Sequence, residues 1–302
     1  MRYIQRFDSA STEQAAIDAG QLGKPYIAFI EDGQYIDWNT KGIDYASMPL
    51  TIEVLSGGTA YIQGTSNTAT KYIYQINNDE PVSGFTNNQL QIPLITGDVL
   101  KLWGYLNTQH SGIAFTGGDG NLYYNIYGNP SSLTEGGSSF GLDMRGNNVI
   151  DARNLVLNKS GFSCYHLFSG CTDLLYAPET VISHDCREMF AGCVSLVTVP
   201  ELPTLELRGS QYDKMFYRCR SITTAPVLLA DTVPQAAYRQ MFEGCTNLNY
   251  VKCLAINRAE LCTASWLRNI SPTGTFVKHP NAVWSSGESG IPSGWTVIDA
   301  DI

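Results

Sequence analysis

The sequence has few charged residues, no basic cluster and no long apolar run. Charged residues make up only 16% of the 302 residues, against about 25% in typical globular proteins. The formal net charge is -9, and nucleic-acid binding needs clustered Lys and Arg, so nucleic acid is excluded as a partner. No segment approaches the roughly 18–20 apolar residues of a membrane-spanning helix, so no membrane insertion is expected.

The motifs of common enzymes and metal sites are missing as well. There is no Cys-x-x-Cys pair, no Gly-x-Ser-x-Gly, no phosphate loop and no dinucleotide fingerprint. Gly117–Gly120 lacks the further acidic residues that a calcium loop needs, so a hairpin turn is predicted there. The histidines follow no metal-ligand spacing and are predicted to face solvent: His110, His166, His184 and His279. We therefore expect no catalytic residue, metal or cofactor, while paired carboxylates that converge only in the fold stay open as an alternative.

A fourfold repeat occupies the second half of the chain. Its pattern is (Met/Leu)-Phe-x-x-Cys-x-x-(Leu/Ile), and successive Phe residues are 22, 26 and 26 residues apart. Because one unit cannot bury these side chains alone, we expect stacked coils with a continuous core. Each coil is predicted to hold a short helical turn, a short strand and a proline-marked corner. The predicted core residues are Phe168, Cys171, Leu174, Phe190, Cys193, Leu196, Phe216, Cys219, Ile222, Phe242, Cys245 and Leu248.

The eight cysteines all follow residue 160, and their spacing follows the repeat. The position seven residues before each repeat Cys holds Cys164, Cys186, Tyr212 or Tyr238. Free cysteine behaves as a small hydrophobe and is often fully buried. We therefore predict buried thiols, and disulfides or a metal site are the less favoured alternatives.

The repeats resemble the BspA-like leucine-rich repeats of gut Bacteroidales and their phages, in which Met-Phe-x-Gly-Cys-x-x-Leu recurs. The resemblance covers roughly residues 155–298, and the period lies in the leucine-rich-repeat range of about 20–29 residues. Segments 250–255, 273–278 and 290–297 are similar to the closing part of such arrays, which would supply a polar cap. The resemblance implies an adhesion or recognition module with no catalytic residues.

Residues 47–150 show short apolar runs separated by Gly, Asn, Asp and Pro at about 8–12 residues, which predicts an all-β sandwich or barrel. Gly97-Asp98 predicts a turn before a strand. The segment Gly128–Leu133 resembles a junction that precedes BspA-like arrays. The predicted strands are Leu50–Leu55, Ala60–Gln63, Lys71–Ile76, Leu90–Ile95, Val99–Tyr105, Ile113–Phe115 and Leu122–Ile126.

Residues 1–46 form a third unit. A capping box at Ser11–Gln14 predicts a helix over Glu13–Ala19, and Asp32-Gly33 predicts a hairpin. The Leu-Gly-x-Pro-Tyr-Ile-Ala stretch at 22–28 resembles the N-terminal segment of structural proteins of phages that infect Bacteroidales, including crAss-like phages. That resemblance implies a virion-anchoring segment with the candidate residues Leu22, Pro25, Tyr26, Ile27, Phe29, Tyr35 and Trp38.

The expected architecture is multidomain. It comprises a small α/β N-terminal anchor (1–46), an all-β sandwich-like middle domain (47–150) and a C-terminal BspA-like leucine-rich-repeat solenoid with its cap (151–302).

The resemblances imply a non-enzymatic virion structural protein, a head fibre or similar appendage on the outer surface of a phage. Its N-terminus would bind capsid or other virion proteins, and its repeats would bind glycans or proteins of the host surface or of mucus. Fibres are usually symmetric homo-oligomers, so a dimer or trimer is expected. The first alternative is a bacterial cell-surface BspA-like adhesin, although Met1–Asp8 lacks the apolar core of a secretory signal. The alternative from another class is a carbohydrate-active enzyme.

Overall fold

The computed structural model describes residues 30–31, 34–35, 49–64, 70–86, 89–103, 112–117, 120–133, 140–157 and 162–301. Over these residues the chain consists of strands and turns, with no α-helix and a single 3-10 turn at Pro130–Leu133. The fold is therefore β-rich and contains a stack of repeated coils. The helix expected over residues 13–19 lies outside the described residues.

Twelve of the strands precede the repeats. They are β1 (Ile30–Glu31), β2 (Gln34–Tyr35), β3 (Leu50–Ser56), β4 (Gly58–Gly64), β5 (Thr70–Ile76), β6 (Val82–Thr86), β7 (Leu90–Leu94), β8 (Val99–Trp103), β9 (Gly112–Gly117), β10 (Tyr123–Tyr127), β11 (Phe140–Asp143) and β12 (Asn148–Asp151). All seven strands predicted for the middle region are present. The strands β6, β11 and β12 were not predicted; in β6 a central glycine and short polar residues interrupt the apolar alternation.

Six further strands lie in the second half of the chain. They are β13 (Phe162–Ser163), β14 (Thr232–Val233), β15 (Tyr250–Cys253), β16 (Asn257–Arg258), β17 (Gly274–Lys278) and β18 (Trp295–Asp299). The strands β15, β17 and β18 form a parallel sheet in that order. They correspond to the three closing segments identified in the sequence. The last strand leaves Val297 46% and Ile298 48% exposed, so this end of the stack is less polar than expected.

The middle region forms two sheets. Their strand orders are β12-β10-β3-β8-β5-β6 and β13-β11-β9-β4-β7. Ile52 and Leu100 of the first sheet and Ile92 and Phe115 of the second are at most 1% exposed and belong to one hydrophobic cluster. Because successive side chains of a strand point to opposite faces, the apolar alternation in the sequence places these residues in a shared core.

The turn at Gly117–Gly120 is not the hairpin that the sequence predicted. Gly120 N donates to Gly117 O at 3.3 Å, but β9 and β10 belong to different sheets. The strand β9 pairs with β4 and β11, whereas β10 pairs with β3 and β12. With both edges of each strand occupied, the two cannot pair with each other, and the turn carries the chain from one sheet to the other.

The coil stack begins before the first recognisable repeat. Met144 N donates to Leu167 O at 3.0 Å, and Gly146 N donates to Ser169 O at 2.9 Å. The segment from β11 to β12 is therefore a coil stacked on the first repeat, and the division expected at residues 150 and 151 falls inside β12. A single hydrophobic cluster runs from Leu50 to Trp295. The sandwich and the coils consequently share a core.

The Met-Phe-x-x-Cys segments are not helical turns. In the first repeat, Phe168 N donates to Met189 O of the next coil at 2.9 Å, whereas Cys171 N donates to Phe168 O at 3.0 Å. The amides thus alternate between the next coil and the residue three positions back. A helix is ruled out because every fourth residue has a positive φ, for example His166 at 57° and Gly170 at 76°. We call residues 164–171, 186–193, 212–219 and 238–245 the turn ribbon.

A fifth, degenerate coil follows the four repeats. Tyr238 N donates to Cys262 O at 2.9 Å, and Phe242 N donates to Trp266 O at 3.0 Å, so residues 263–270 continue the turn ribbon. The segment 285–291 closes this end of the ribbon. Ser265 N donates to the hydroxyl of Ser289 at 3.0 Å, and Leu267 N donates to Glu288 O at 3.2 Å.

The turn ribbon carries a column of glycines that Arg218 interrupts. Gly192 and Gly244 have φ values of 79°, and Arg218 adopts a φ of 60° at the same position of its coil. We expect Arg218→Gly to raise the free energy of unfolding by about 0.5 kcal/mol, because removal of left-handed strain outweighs the entropy gained by the unfolded chain. Urea unfolding would measure the change.

The reverse substitution at the same position of the next coil, Gly244→Ala, should have the opposite effect on the free energy of unfolding. A Cβ added at Gly244 would lie 3.0 Å from Arg218 Cγ, so Gly244→Ala should lower the free energy of unfolding by about 1–2 kcal/mol. Its cost should shrink in the Arg218→Gly background, where that contact is gone. If Gly244→Ala lowers the free energy of unfolding equally in the wild type and in Arg218→Gly, the contact with the Arg218 side chain contributes nothing.

Candidate interaction surface

The stack is held in register by rings and thiols on its inner side. The rings of Phe190 and Phe216 are 5.4 Å apart and within 11° of parallel, and those of Phe216 and Phe242 are 5.5 Å apart. The structure places all twelve predicted repeat-core residues at 0% exposure. This regular interior forces the outward side chains of successive coils into columns.

Each repeat cysteine bonds to the coil before it. Cys193 Sγ donates to Phe168 O, Cys219 Sγ to Phe190 O and Cys245 Sγ to Phe216 O, each at 3.0 Å. Burial raises the pKa of Cys171, whose thiol donates to Met144 O, to about 12. The thiols therefore stay protonated, as donors must. All eight cysteines are free and buried.

The outward side chains of the turn ribbon and its neighbouring coils form a charged surface, which we call the turn face. Each coil contributes at least one charged or aromatic residue to its columns, and two of the carboxylates, Asp213 and Glu243, are buried beneath their arginine partners. The residues of the turn face are Asp143, Arg145, Tyr165, His166, Asp185, Arg187, Glu188, Asp213, Lys214, Tyr217, Arg218, Arg239, Glu243 and Arg268.

Bidentate ion pairs orient three arginines of this face, Arg145, Arg187 and Arg239. Asp185 accepts hydrogen bonds from Nε and Nη2 of Arg187, both at 2.8 Å. Asp143 holds Arg145 in the same way, at 2.9 and 2.6 Å. Such exposed pairs contribute little to stability. They do orient the guanidinium plane, because both bonds must be satisfied together.

Tyr165 lies at the centre of the densest group. Its side chain is 44% exposed, and the Arg187 guanidinium lies 4.6 Å above its ring. The His166 ring is 3.8 Å from the Tyr165 ring, at 51°. We call the group formed by Asp143, Arg145, Tyr165, His166, Asp185 and Arg187 the Tyr165 patch.

His166 is half-buried rather than solvent-facing as the sequence suggested. Its Nδ1 lies 3.6 Å from Glu188 Oε2, too far for a hydrogen bond, and has no such bond among the described residues. Burial lowers the pKa of His166 below its usual value, although Glu188 opposes this. The imidazole is therefore neutral at pH 7, and the positive charge of the patch comes from its arginines.

The Tyr165 patch offers two kinds of contact to a ligand. Asp185 occupies Nε and Nη2 of Arg187, so Nη1 has no hydrogen bond to the described residues and can donate to a carboxylate or a hydroxyl. The exposed edge and face of Tyr165 can pack against an apolar surface such as the face of a sugar ring. The arrangement suits recognition of a polar ligand with one flat face.

The same combination occurs once more in the coil stack. Arg153 pairs with Asp151 at 2.6 Å and lies 4.4 Å above the ring of Tyr176. Asp-x-Arg at 143–145, 151–153 and 185–187 is the signal that could have identified these groups in the sequence. It was missed because the Tyr partners of Arg153 and Arg187 come from a neighbouring coil and lie 23 and 22 residues away in the sequence.

Arg187→Ala should raise the pKa of Asp185. Burial pushes this pKa up, but the hydrogen bonds and charge of Arg187 outweigh burial and hold it below its usual value. A depressed folded pKa stabilises the fold above the unfolded pKa of about 3.9, and this contribution is lost as the pH falls through the folded pKa. The stability gap between wild type and variant should therefore close as the pH falls below about 4.

Carboxyl NMR titration would measure this shift directly. Arg145→Ala is the matched control, because Arg145 pairs with Asp143 and should change the pKa of that residue while leaving Asp185 unaffected. An unchanged Asp185 pKa in Arg187→Ala would refute the assignment of Arg187 as its stabilising partner.

Of the seven candidate anchoring residues, Tyr35 alone lies in the described part of the chain. Tyr35 lies on β2, where it pairs with Ile30 of β1, so the hairpin predicted around Asp32-Gly33 is confirmed. The other anchoring candidates lie outside the described residues: Leu22, Pro25, Tyr26, Ile27, Phe29 and Trp38.

The described ranges contain no metal-ligand cluster and no membrane-spanning helix. No group of three or more His, Cys, Asp or Glu side chains in them could hold a metal ion. No helix of the described part of the chain is long and apolar enough to cross a membrane. Comparison with protein-family models, curated proteins and solved structures finds no match to this chain.

Proposed function

We propose that the chain is a phage virion structural protein, a head fibre or similar appendage, that displays its coils for adhesion. In this proposal residues 1–46 form an α/β anchor on capsid or other virion proteins, and the BspA-like leucine-rich-repeat solenoid faces outward. The ligands are glycans or proteins of the host surface or of mucus. The virion part rests on the resemblance of residues 22–28 to phage structural proteins, and the adhesive part rests on the turn face.

The observation that carries the adhesive part is the Tyr165 patch. It combines an exposed aromatic ring with oriented arginines that keep a donor group for a ligand. Similar polar columns continue along the coils at the spacing of paired strands, about 4.8 Å. Many weak contacts of this kind on one particle would add up through multivalency, without any strong single site.

Binding to purified mucin and to a panel of glycans tests the adhesive part. Tyr165→Ala and Arg187→Ala should each weaken binding about tenfold, since each removes one principal contact of the patch. Leu205→Ala is the control, because Leu205 is 62% exposed and lies outside the patch. Equal binding by all three variants would exclude the patch as the ligand site.

Co-sedimentation with phage particles stripped of their appendages tests the virion part. The full chain should pellet with particles, and a chain lacking residues 1–46 should stay in solution. If neither pellets while mucin binding persists, the bacterial cell-surface adhesin becomes the better account.

Mass photometry of the same samples would show whether the protein is a dimer or trimer.

A further inference from the structure

Cys164 and Cys186 occupy the same position of two adjacent coils. Both are 0% exposed. In the next two coils this position holds Tyr212 and Tyr238, whose rings stack at 6.2 Å. The first two coils therefore place two thiols where the later coils place two rings.

The backbone brings these cysteines to a separation that suits a covalent link. Cys164 N donates to Asp185 O at 2.9 Å, and His166 N donates to Arg187 O at 3.0 Å, so Cys186 lies directly opposite Cys164. Strands paired in this way are about 4.8 Å apart. Disulfides span Cα separations of about 4.4–6.8 Å, so this spacing lies within the range that a disulfide can bridge.

The other repeat thiols are engaged differently. Cys171, Cys193, Cys219 and Cys245 each donate to a backbone carbonyl of the preceding coil at 3.0–3.1 Å. The Cys186 thiol has only a 3.7 Å contact with Ser183 O, and the Cys164 side chain lies within hydrogen-bonding reach of it. A bond between Cys164 and Cys186 would therefore break no strong hydrogen bond.

We propose that Cys164 and Cys186 form a disulfide that clamps the first two repeat coils together under oxidising conditions. The bond forms by exchange with a small-molecule disulfide such as oxidised glutathione. The two cysteine thiols lose two protons and two electrons as their sulfurs join, and the small disulfide is reduced to two thiols. Because both thiols are buried, exchange takes place during folding or through transient opening of the coils.

The clamp lies beneath the Tyr165 patch. Tyr165 directly follows Cys164, and Arg187 directly follows Cys186, and the Arg187 guanidinium lies above the Tyr165 ring. The disulfide would fix the separation of these two residues. Oxidation thereby stiffens the part of the turn face to which adhesion is assigned, although the disulfide itself does not depend on that assignment.

The test compares the full chain refolded with reduced glutathione and with oxidised glutathione. After denaturation and alkylation without reductant, the oxidised sample should carry two fewer alkyl groups than the reduced one. Peptide mapping should recover a cross-link between Cys164 and Cys186. The oxidised form should melt about 5 °C higher, because the cross-link restricts the unfolded chain.

Two variants separate this pair from the other cysteines. Cys186→Ser should abolish both the loss of alkyl groups and the cross-linked peptide, whereas Cys219→Ser, in the carbonyl-bonded column, should retain both. Alkylation of all eight thiols in the oxidised wild type, or a cross-link that maps to another pair, would overturn the proposal. The wild-type map decides the question even if a variant fails to fold.

Discussion

Replacing Phe216 by alanine should lower the free energy of unfolding by about 3–5 kcal/mol. Phe216 is 0% exposed, and its ring stacks on Phe190 at 5.4 Å and on Phe242 at 5.5 Å. The loss therefore combines burial, a cavity and two ring contacts that belong to different coils. Denaturant unfolding followed by far-UV circular dichroism would measure it.

The effect should be specific to the ring stack. Leu205→Ala removes a 62% exposed side chain and should change the same free energy by less than about 0.5 kcal/mol. Phe216→Leu keeps most of the volume and should fall between the two. A Phe216→Ala protein within about 1 kcal/mol of wild type would mean that the coils do not depend on the stack.

Replacing Asn147 by alanine should cost about 2–4 kcal/mol. Asn147 is 5% exposed and takes the place that Cys171 takes in the next coil. Its Oδ1 accepts from Gly117 N, and its Nδ2 donates to Phe115 O, both at 2.8 Å. Alanine removes the side-chain partner of the part-buried Gly117 amide and of the buried Phe115 carbonyl at the point where the sandwich meets the coils.

The substitution Asn147→Cys tests whether a thiol can replace the side-chain amide as hydrogen-bond donor at this position. The thiols of the later coils donate to the carbonyl of the preceding coil, and Cys219 does so to Phe190 O. Asn147→Cys should therefore keep the bond to Phe115 O, lose the one from Gly117 N and cost about half as much as alanine. Asn148→Ala, which removes only a hydrogen bond to Gly120 O, is the neighbouring control. Equal costs for alanine and cysteine would refute the proposed role of the thiol as a donor.

The spacing of the repeat was enough to identify the core. Phe, Cys and Leu at fixed offsets must share one interior, and the structure places them there. The conformation of the ribbon was not predictable in the same way. Met-Phe-x-x-Cys fits one turn of a helix. A positive φ is usually indicated in a sequence by glycine, but several such positions hold other residues, among them His166, Glu188 and Lys214. Stacking on the next coil outweighs their local preference.

The outward groups were harder to predict than the core. The Tyr165 patch contains residues from three coils. No local pattern in the sequence indicates which side chains of different coils lie next to each other. The fifth coil was missed for a related reason. Trp266 and Leu267 take the places of Met and Phe there, so the motif disappears although the hydrogen bonds continue. Amide ladders depend on the backbone and tolerate such replacements.

The uniform direction of the ribbon amides affects how the number of coils can change in evolution. Every coil presents N–H groups to the coil that follows and carbonyls to the coil that precedes it, and segment 285–291 accepts the last donors. A duplicated coil inserted at any boundary would therefore find acceptors on one side and donors on the other. Relatives that gain or lose whole coils between unchanged ends are the expected product. Each gain would lengthen the protein by one strand spacing, about 4.8 Å.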